Sequence, residues 1–371
     1  MAPTHDVTEG LITAETDFGL NLIRQSASNE QLVVSPLSII LALSIVRAGA
    51  KGETKEQISR AISGGAKDEE IEEYYSNLSK DVLNSTEDVQ TRIASAFFMD
   101  KRFEINKHYS EIIAERYLAK VEALDFEQPN ETAKIIDIFV KDTTAGKIQD
   151  FVTEDMVQGA FSLLINAVYF TAKWEHEFDR YSTVKDTFFS NENDKRRIDF
   201  LNEYQVDRLY AEDEDVQFLS LRYKDTSYAF NILLPKKRFT LHEIKEKVSG
   251  ARIQQLLSQL RMTFITISIP KMSIETEFDL KKALLAMGIT RMFSEEADFT
   301  AITEQFLRVS DAAHKAIIEV DEEGTTAAAS TAVKMVSDSL RLEQPVEFNA
   351  NHPFMFVLTK DKNPLFMGQF A

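Results

Sequence analysis

An α+β fold is predicted by three features of the sequence. Apolar residues recur at helical spacing through most of the first 130 residues, branched and aromatic runs take over from about 160, and no linker, low-complexity segment or repeat divides the two textures. With 371 residues, 44% of them hydrophobic, the chain can bury a full core, and one domain over residues 1–371 is the simplest organisation.

Helices are expected at 16–25, 37–48, 54–62, 68–83 and 108–118, where apolar side chains return every three or four positions. Pro36 fits the first turn of the second of these. Residues 89–99 alternate more nearly as a strand, and 131–144 is again amphipathic and helical. The near-continuous apolar run Ser162-Leu-Leu-Ile-Asn-Ala-Val-Tyr-Phe170 predicts a strand buried on both faces. Further strands are expected at 216–222, 228–234, 264–270, 316–320 and 353–358, with helices over 241–260 and 280–287 between them.

Charge and composition narrow the function. A net charge of −18 repels nucleic acid and anionic membranes, so neither is an expected partner. With no cysteine, disulfides, thiolate zinc sites and cysteine nucleophiles are excluded. Residues 1–10 are polar and acidic and lack the pattern of a secretory leader. A cytoplasmic location is therefore expected, with nucleocytoplasmic residence or export without a signal peptide as variants; the sequons at Asn77, Asn84 and Asn130 then read as incidental. No apolar stretch approaches the ~20 residues of a membrane span. Gly-x-Ser-x-Gly, His-Glu-x-x-His, P-loop and dinucleotide signatures are all missing, which argues against an enzyme. His176, between Glu175 and Glu177, has no partner at metal-ligand spacing, so no metal or cofactor is expected. Lys195-Arg196-Arg197 and Lys236-Lys237-Arg238 are short basic clusters that read as solvated turns, and residues 68–73 are acidic; no strong heparin-type site is expected.

One segment breaks the pattern. Residues 322–344 lie between two good strands, and a loop of about twenty residues is unusual in a compact domain unless it is functional or mobile. Laid into a sheet, it would place Thr325, Ala327, Ala329, Thr331, Val333 and Met335 on one face, all small or apolar. The other face would carry Thr326, Ala328, Ser330, Ala332, Lys334 and Val336, with the only charge pointing away from the core. Ladder hydrogen bonds of roughly 0.5 to 1.5 kcal/mol each would give on the order of ten kcal/mol for such a strand. Taken alone, the segment reads equally well as a solvated alanine-rich loop or a helical turn.

The flanking motifs resemble the serpin family across essentially the whole chain. Val34-Ser35-Pro36-Leu37-Ser38-Ile39 and Gly49-Ala50-Lys51-Gly52-Glu53-Thr54 are similar to that family's second helix and the turn after it. Thr144-Ala145-Gly146-Lys147-Ile148 looks like its Thr-Asn-Gly-Lys-Ile, with Ala145 in place of the asparagine. Asn166-Ala167-Val168-Tyr169-Phe170, Trp174, Phe178, Pro270-Lys271, Leu280, Gly288, Phe293 and Ala297-Asp298-Phe299 follow in order. His314-Lys315-Ala316, the run Glu319-Val320-Asp321-Glu322-Glu323-Gly324-Thr325 and His352-Pro353-Phe354 complete the match.

The resemblance implies one domain of three β-sheets and eight or nine helices, with an exposed reactive-centre loop at about 322–345. It further implies a monomeric suicide-substrate inhibitor, not an enzyme, whose partner is a serine or cysteine endopeptidase held in a covalent one-to-one complex. The cleaved loop would insert into the large sheet and carry the acylated peptidase on the order of 50 Å, about fifteen residues at 3.3 Å each. Glu322, Glu323, Gly324, Thr325, Thr326, Ala327, Ala328, Ala329 and Ser330 resemble an inhibitory hinge. Ser35, Ser38, Asn166 and His314 match the polar shutter beneath the sheet. Trp174, Arg291 and Glu322 match the breach at its upper end, with Arg291 standing where the cation for Glu322 is expected.

The usual family spacing from Glu322 places the reactive bond at Asp338–Ser339, with Leu340 and Arg341 as alternatives because the following segment is long. Asp338 calls for a cationic specificity pocket, as in granzyme-like or caspase-like peptidases. Arg341 would suit trypsin-like enzymes, and Leu340 chymotrypsin-like or papain-like ones. A non-inhibitory carrier or chaperone would share every scaffold motif, and only the hinge separates the two.

Overall fold

The computed structural model describes residues 5–84, 86, 88–325 and 343–371. In chain order the first elements are α1 (His5–Arg24), β1 (Leu32–Val34), α2 (Pro36–Gly49), α3 (Gly52–Ser63), α4 (Asp68–Leu83), β2 (Val89–Asp100), α5 (Lys107–Tyr117), β3 (Lys120–Leu124), α6 (Pro129–Thr143) and α7 (Glu154–Val157). Strands then dominate: β4 (Ser162–Lys173), β5 (Val184–Phe189), β6 (Lys195–Glu212), β7 (Val216–Arg222) and β8 (Tyr228–Pro235). After α8 (Leu241–Lys247) and α9 (Gly250–Ser258) come β9 (Arg261–Pro270), β10 (Met272–Phe278) and α10 (Leu280–Ala286). The chain ends with β11 (Asp311–Val320), β12 (Gly324–Thr325), β13 (Val346–Asn349), β14 (Phe354–Lys360) and β15 (Asn363–Phe370).

The helix expected over 241–260 is two. Val248 adopts an extended conformation, and the Ser249 hydroxyl accepts the Arg252 amide at 3.3 Å to start α9 afresh. With one-turn α7 also counted, the described residues hold ten α-helices rather than eight or nine. The strands join into two hydrogen-bonded networks where the resemblance implies three sheets. The physical reason is β6: one stretch of it pairs with β5 and another with β7, β9 bridges them, and a register shift between Glu203 and Val206 marks the change.

The six-stranded sheet runs β10-β11-β4-β2-β3, with β12 added on β4. Between this sheet and the nine-stranded one lies the main core, which draws on residues from Leu11 to Phe370; α2 is buried on nearly every side within it. A second apolar layer, including Phe98, Ile136, Val140, Leu163 and Tyr169, packs α6 and α7 on the other face of the six-stranded sheet. β4 is therefore covered on both sides, and only Thr171 and Lys173 of its residues are partly exposed.

The pairing of β4 with β11 is incomplete. The two run parallel from Leu163 opposite Asp311 to Tyr169 opposite Ile317, but β11 continues to Val320 against β10 alone. Above that point the chain turns at residues 321–323 and comes back as β12, antiparallel to β4, with Gly324 opposite Lys173 and Thr325 opposite Ala172. The slot between the two central strands is thus wedged at its upper end.

Candidate functional site

The wedge is built from a short turn. The Asp321 carboxylate accepts the amides of Glu323 at 2.9 Å and Gly324 at 3.1 Å, and the Asp321 amide donates to the Gly324 carbonyl at 2.9 Å. Gly324 sits at φ +152, and a Cβ there would collide with the Ala172 carbonyl. Trp174 clamps the turn: its amide donates to the Glu323 carbonyl and its indole Nε1 to the Asp321 carbonyl, both at 2.9 Å. Its ring stacks on Tyr223 with centroids 4.5 Å apart.

Thr325 is fully buried; its hydroxyl lies 2.8 Å from the Tyr223 hydroxyl, and its carbonyl accepts Thr171 Oγ1 at 2.7 Å. Burial pushes the Tyr223 phenol far above its ordinary pKa, so it is a neutral hydrogen-bonding group. The small side chain at 325 therefore points toward the core.

Glu322 does not meet Arg291. Lys271 Nζ reaches its Oε2 at 2.8 Å and Thr183 Oγ1 donates to its Oε1 at 2.9 Å. Burial acts to raise the Glu322 pKa, but the Lys271 ammonium and the Thr183 hydroxyl outweigh it and hold the carboxyl below its usual value. Arg291 is occupied elsewhere: its amide donates to Gln57 Oε1 at 2.8 Å and its guanidinium pairs with Glu296. The reason is topological. Lys271 lies between β9 and β10, and β10 begins with Met272 opposite Val320, two residues before Glu322. Glu323 pairs with Arg180, a residue that sequence reasoning did not single out.

Lower in the slot, the structure brings Ser35, Ser38, Asn166 and His314 into one buried network. His314 and Asn166 face each other across β11 and β4, and His314 Nδ1 lies 2.6 Å from Asn166 Oδ1. The Ser35 amide donates to His314 Nε2 at 3.0 Å, so the proton sits on Nδ1 and is given to Asn166. Asn166 Oδ1 also accepts Ser38 Oγ at 2.8 Å, while Nδ2 donates to the Ser38 carbonyl at 3.1 Å and to Ser95 Oγ at 2.8 Å. Ser35 Oγ donates to the Leu365 carbonyl at 2.5 Å, tying the network to the second sheet. Burial pushes the His314 imidazole down to about 3, which keeps it neutral. Ser95, on β2, is the member of this network that no sequence signal marked.

The hinge residues Thr326, Ala327, Ala328, Ala329 and Ser330, and the reactive-bond residues Asp338, Ser339, Leu340 and Arg341, lie outside the described residues. Among the described residues no group of three histidine or acidic side chains is placed to hold a metal ion, and no helix is long and apolar enough to cross a membrane. Glu175 beside His176 is instead held by Arg222, at 2.8 and 3.1 Å.

A two-sheet body in which β12 sits on β4 above the end of its pairing with β11, with a buried polar cross-link joining β4 and β11 below, is the architecture of one protein family. The chain belongs to the serpin family: the profile described as "Serpin (serine protease inhibitor)" matches residues 13–371. Similar relatives include Iripin-2 of Ixodes ricinus, 30% identical over 97% of this chain and 92% of that one. Serpin B4 of Homo sapiens is also 30% identical, over 97% of this chain and 99% of that one. Among solved structures, Serpin48 of the insect Tenebrio molitor, described as a highly specific serpin, covers 99% of both chains at 25% identity and a TM-score of 0.89. Human thyroxine-binding globulin, solved with thyroxine, shares the fold at 23% identity and a TM-score of 0.87, covering 97% of each chain.

Proposed function

We propose that this protein is a suicide-substrate inhibitor of endopeptidases and not an enzyme, acting as one unit over residues 1–371 with a reactive-centre loop at about 322–345. The observation that carries the reading is β12. It lies antiparallel in the gap between two parallel strands, so its continuation would replace one parallel ladder with two antiparallel ones, the stronger pairing. The buried, small Thr325 and the alternation of small residues after it suit that path. Attack at the loop forms an acyl-enzyme; the severed loop then fills the slot, and distortion of the translocated peptidase stops deacylation.

Asp338 at the reactive bond selects granzyme-like or caspase-like peptidases, whose specificity pockets are cationic. Cleavage at Arg341 or Leu340 would redirect the inhibitor to trypsin-like or to chymotrypsin-like and papain-like enzymes. The partner is a single peptidase per monomer, and the cysteine-free chain suits action in the cytoplasm. A carrier role is the second reading, and the likeness to thyroxine-binding globulin favours it at the level of the fold alone.

The test is incubation with a panel of these peptidases, followed by denaturing electrophoresis and mapping of the cut by mass spectrometry. A covalent band with at least one peptidase is expected, as is a higher melting temperature for the nicked protein than for the intact one. Thr325→Arg should turn inhibitor into substrate, because a charge cannot be buried beside Tyr223. Cleavage by every peptidase with retention of none, and no gain in melting temperature, would leave the carrier reading.

A further inference from the structure

Leu11, Glu15, Phe18 and Leu22 recur along the buried face of α1 at helical spacing, and Glu15 is the one charged member of that stripe. It is fully buried, and neither of its carboxyl oxygens has a hydrogen-bond partner among the described residues. A carboxylate placed there would lose its water and gain nothing in return, so the group is tolerated only while it is neutral. The inhibitory mechanism makes no use of it.

Among the described residues, the elements packed around α1 supply no cation to offset such a charge. Tyr74 and Tyr75 of α4 are the titratable groups beside it, and their hydroxyls are turned to other acceptors: Tyr75 donates to the Ile62 carbonyl at 2.8 Å and Tyr74 to Asn363 Oδ1. Buried Arg47 of α2 is held by Asp68 at 2.5 Å and by Ser59 Oγ at 2.8 Å. Lys55 and Arg60 of α3 pair with Asp68 and Glu53, and Arg252 of α9 pairs with Asp213 and Asp215. Arg24 and Lys245 donate to main-chain carbonyls, and Lys360, beside the turn that carries Asn363, pairs with Asp81 and Asp361. On α1 itself, Asp17 accepts the Gly250 amide at 2.6 Å.

We infer that Glu15 is a pH-sensitive wedge between α1 and α4: the neutral acid is accommodated, and its ionisation parts the two helices so that water reaches the carboxylate. Burial pushes the carboxyl up to about 8 from its ordinary 4.5, with the Tyr75 hydroxyl acting the other way. Between those values the folded chain keeps a proton that the unfolded chain has lost. Stability from this group is therefore complete below pH 4.5 and declines as pH rises toward 8, by up to about tenfold in the folding equilibrium per pH unit. The wedge lies in the body and not in the loop, so it operates whether the protein is an inhibitor or a carrier.

The test compares the full chain with Glu15→Gln, which keeps the shape of the side chain and removes its titration. From denaturant unfolding, the folding equilibrium constant of the variant relative to wild type should grow on the order of a hundredfold between about pH 5 and about pH 8. Amide hydrogen exchange in α1 and α4, corrected for the intrinsic rate, should speed up over the same range in wild type and not in the variant. Infrared difference spectra of wild type between about pH 6 and about pH 9, where ordinary carboxyls are already ionised, should show the loss of a protonated-carboxyl band, and this readout stands even if the variant does not fold. A ratio that does not change with pH, or the absence of that band, would overturn the inference. A growing ratio with exchange in α1 and α4 unchanged would equally overturn it, because the ionised group would then be accommodated without parting the helices.

Discussion

The upper end of β4 and its centre do opposite things with hydrogen bonds. At the top, Trp174 and Asp321 hold a turn through main-chain carbonyls and amides, and the strands are already apart. At the centre, side chains of β4, β11, β2 and α2 are cross-linked with every donor on Asn166 and His314 matched. The top is a doorway propped open, and the centre is a latch. In the proposed insertion the barrier to strand separation would lie at the centre, because parting Asn166 from His314 would leave buried polar groups unsatisfied on both sides, whereas at the top β12 already lies beyond the end of the β4–β11 pairing.

Cutting the latch should have the largest effect. Asn166→Ala removes the acceptor of His314 Nδ1 and the partner of Ser95 and Ser38 in a fully buried site, with an expected loss of about 4 kcal/mol read from denaturant or thermal unfolding. The same variant should take up a synthetic peptide of residues 325–338 faster than wild type, because the strands part more easily. A destabilised variant with unchanged uptake would place the barrier elsewhere.

Acid should act on the latch before it reaches the doorway. The His314 imidazole is held at about 3 in the folded chain, against about 6.5 when unfolded. The unfolded chain takes the proton first, so stability from this group is complete above pH 6.5 and falls as pH drops toward 3, by a few kcal/mol in all. Glu322 is depressed by Lys271, so its contribution is complete only above its ordinary 4.5 and is lost below that. The melting temperature of the wild type relative to His314→Gln should therefore begin to fall near pH 6, a difference that cancels the opposite drift from buried Glu15, whose carboxyl burial raises to about 8, while fluorescence of Trp174, the only tryptophan, follows the protonation of Asp321 and Glu322 at lower pH. His314→Gln should remove the first of these two steps.

At the doorway a conservative change should cost less. Trp174→Phe keeps a ring over Tyr223 but loses the indole donor to Asp321, for about 1 to 2 kcal/mol. Inhibitory stoichiometry should worsen, because the turn that starts insertion is less well held, while peptide uptake at the centre stays near wild type.

The latch was more legible in the sequence than the doorway, for a physical reason. Ser35, Ser38, Asn166 and His314 each lie within a short local motif, at the start of α2, on β4 or on β11, and these rigid elements bring them to one point. The doorway joins residues through loops, and motif order alone does not say which cation crosses to Glu322. Pro270-Lys271 was read as a motif, yet its role depends on the β9–β10 junction lying beside Val320, which only the register reveals. Some strands were hidden for related reasons. β10 alternates buried and exposed residues over a charged run, and β15 follows a tight turn at Asp361-Lys362, both with positive φ, where no Asn-Gly signal marks a hairpin.

The exchange of Arg291 for Lys271 gives the smallest and most discriminating prediction. The Lys271 side chain is 44% exposed, so its pair with Glu322 is screened by solvent and Lys271→Ala should cost no more than about 1 kcal/mol. Its effect should still be local: Trp174 fluorescence and the rate of loop cleavage should shift, since among the described residues Glu322 then keeps the Thr183 hydroxyl alone as a side-chain donor. Arg291→Ala, which removes the partner of Glu296, should cost a comparable amount and leave both readouts unmoved. If Arg291→Ala moved the Trp174 signal and Lys271→Ala did not, Glu322 would be coupled to the short turn Arg291–Phe293 rather than to the β9–β10 junction, and the Lys271 pairing would not be what holds the doorway.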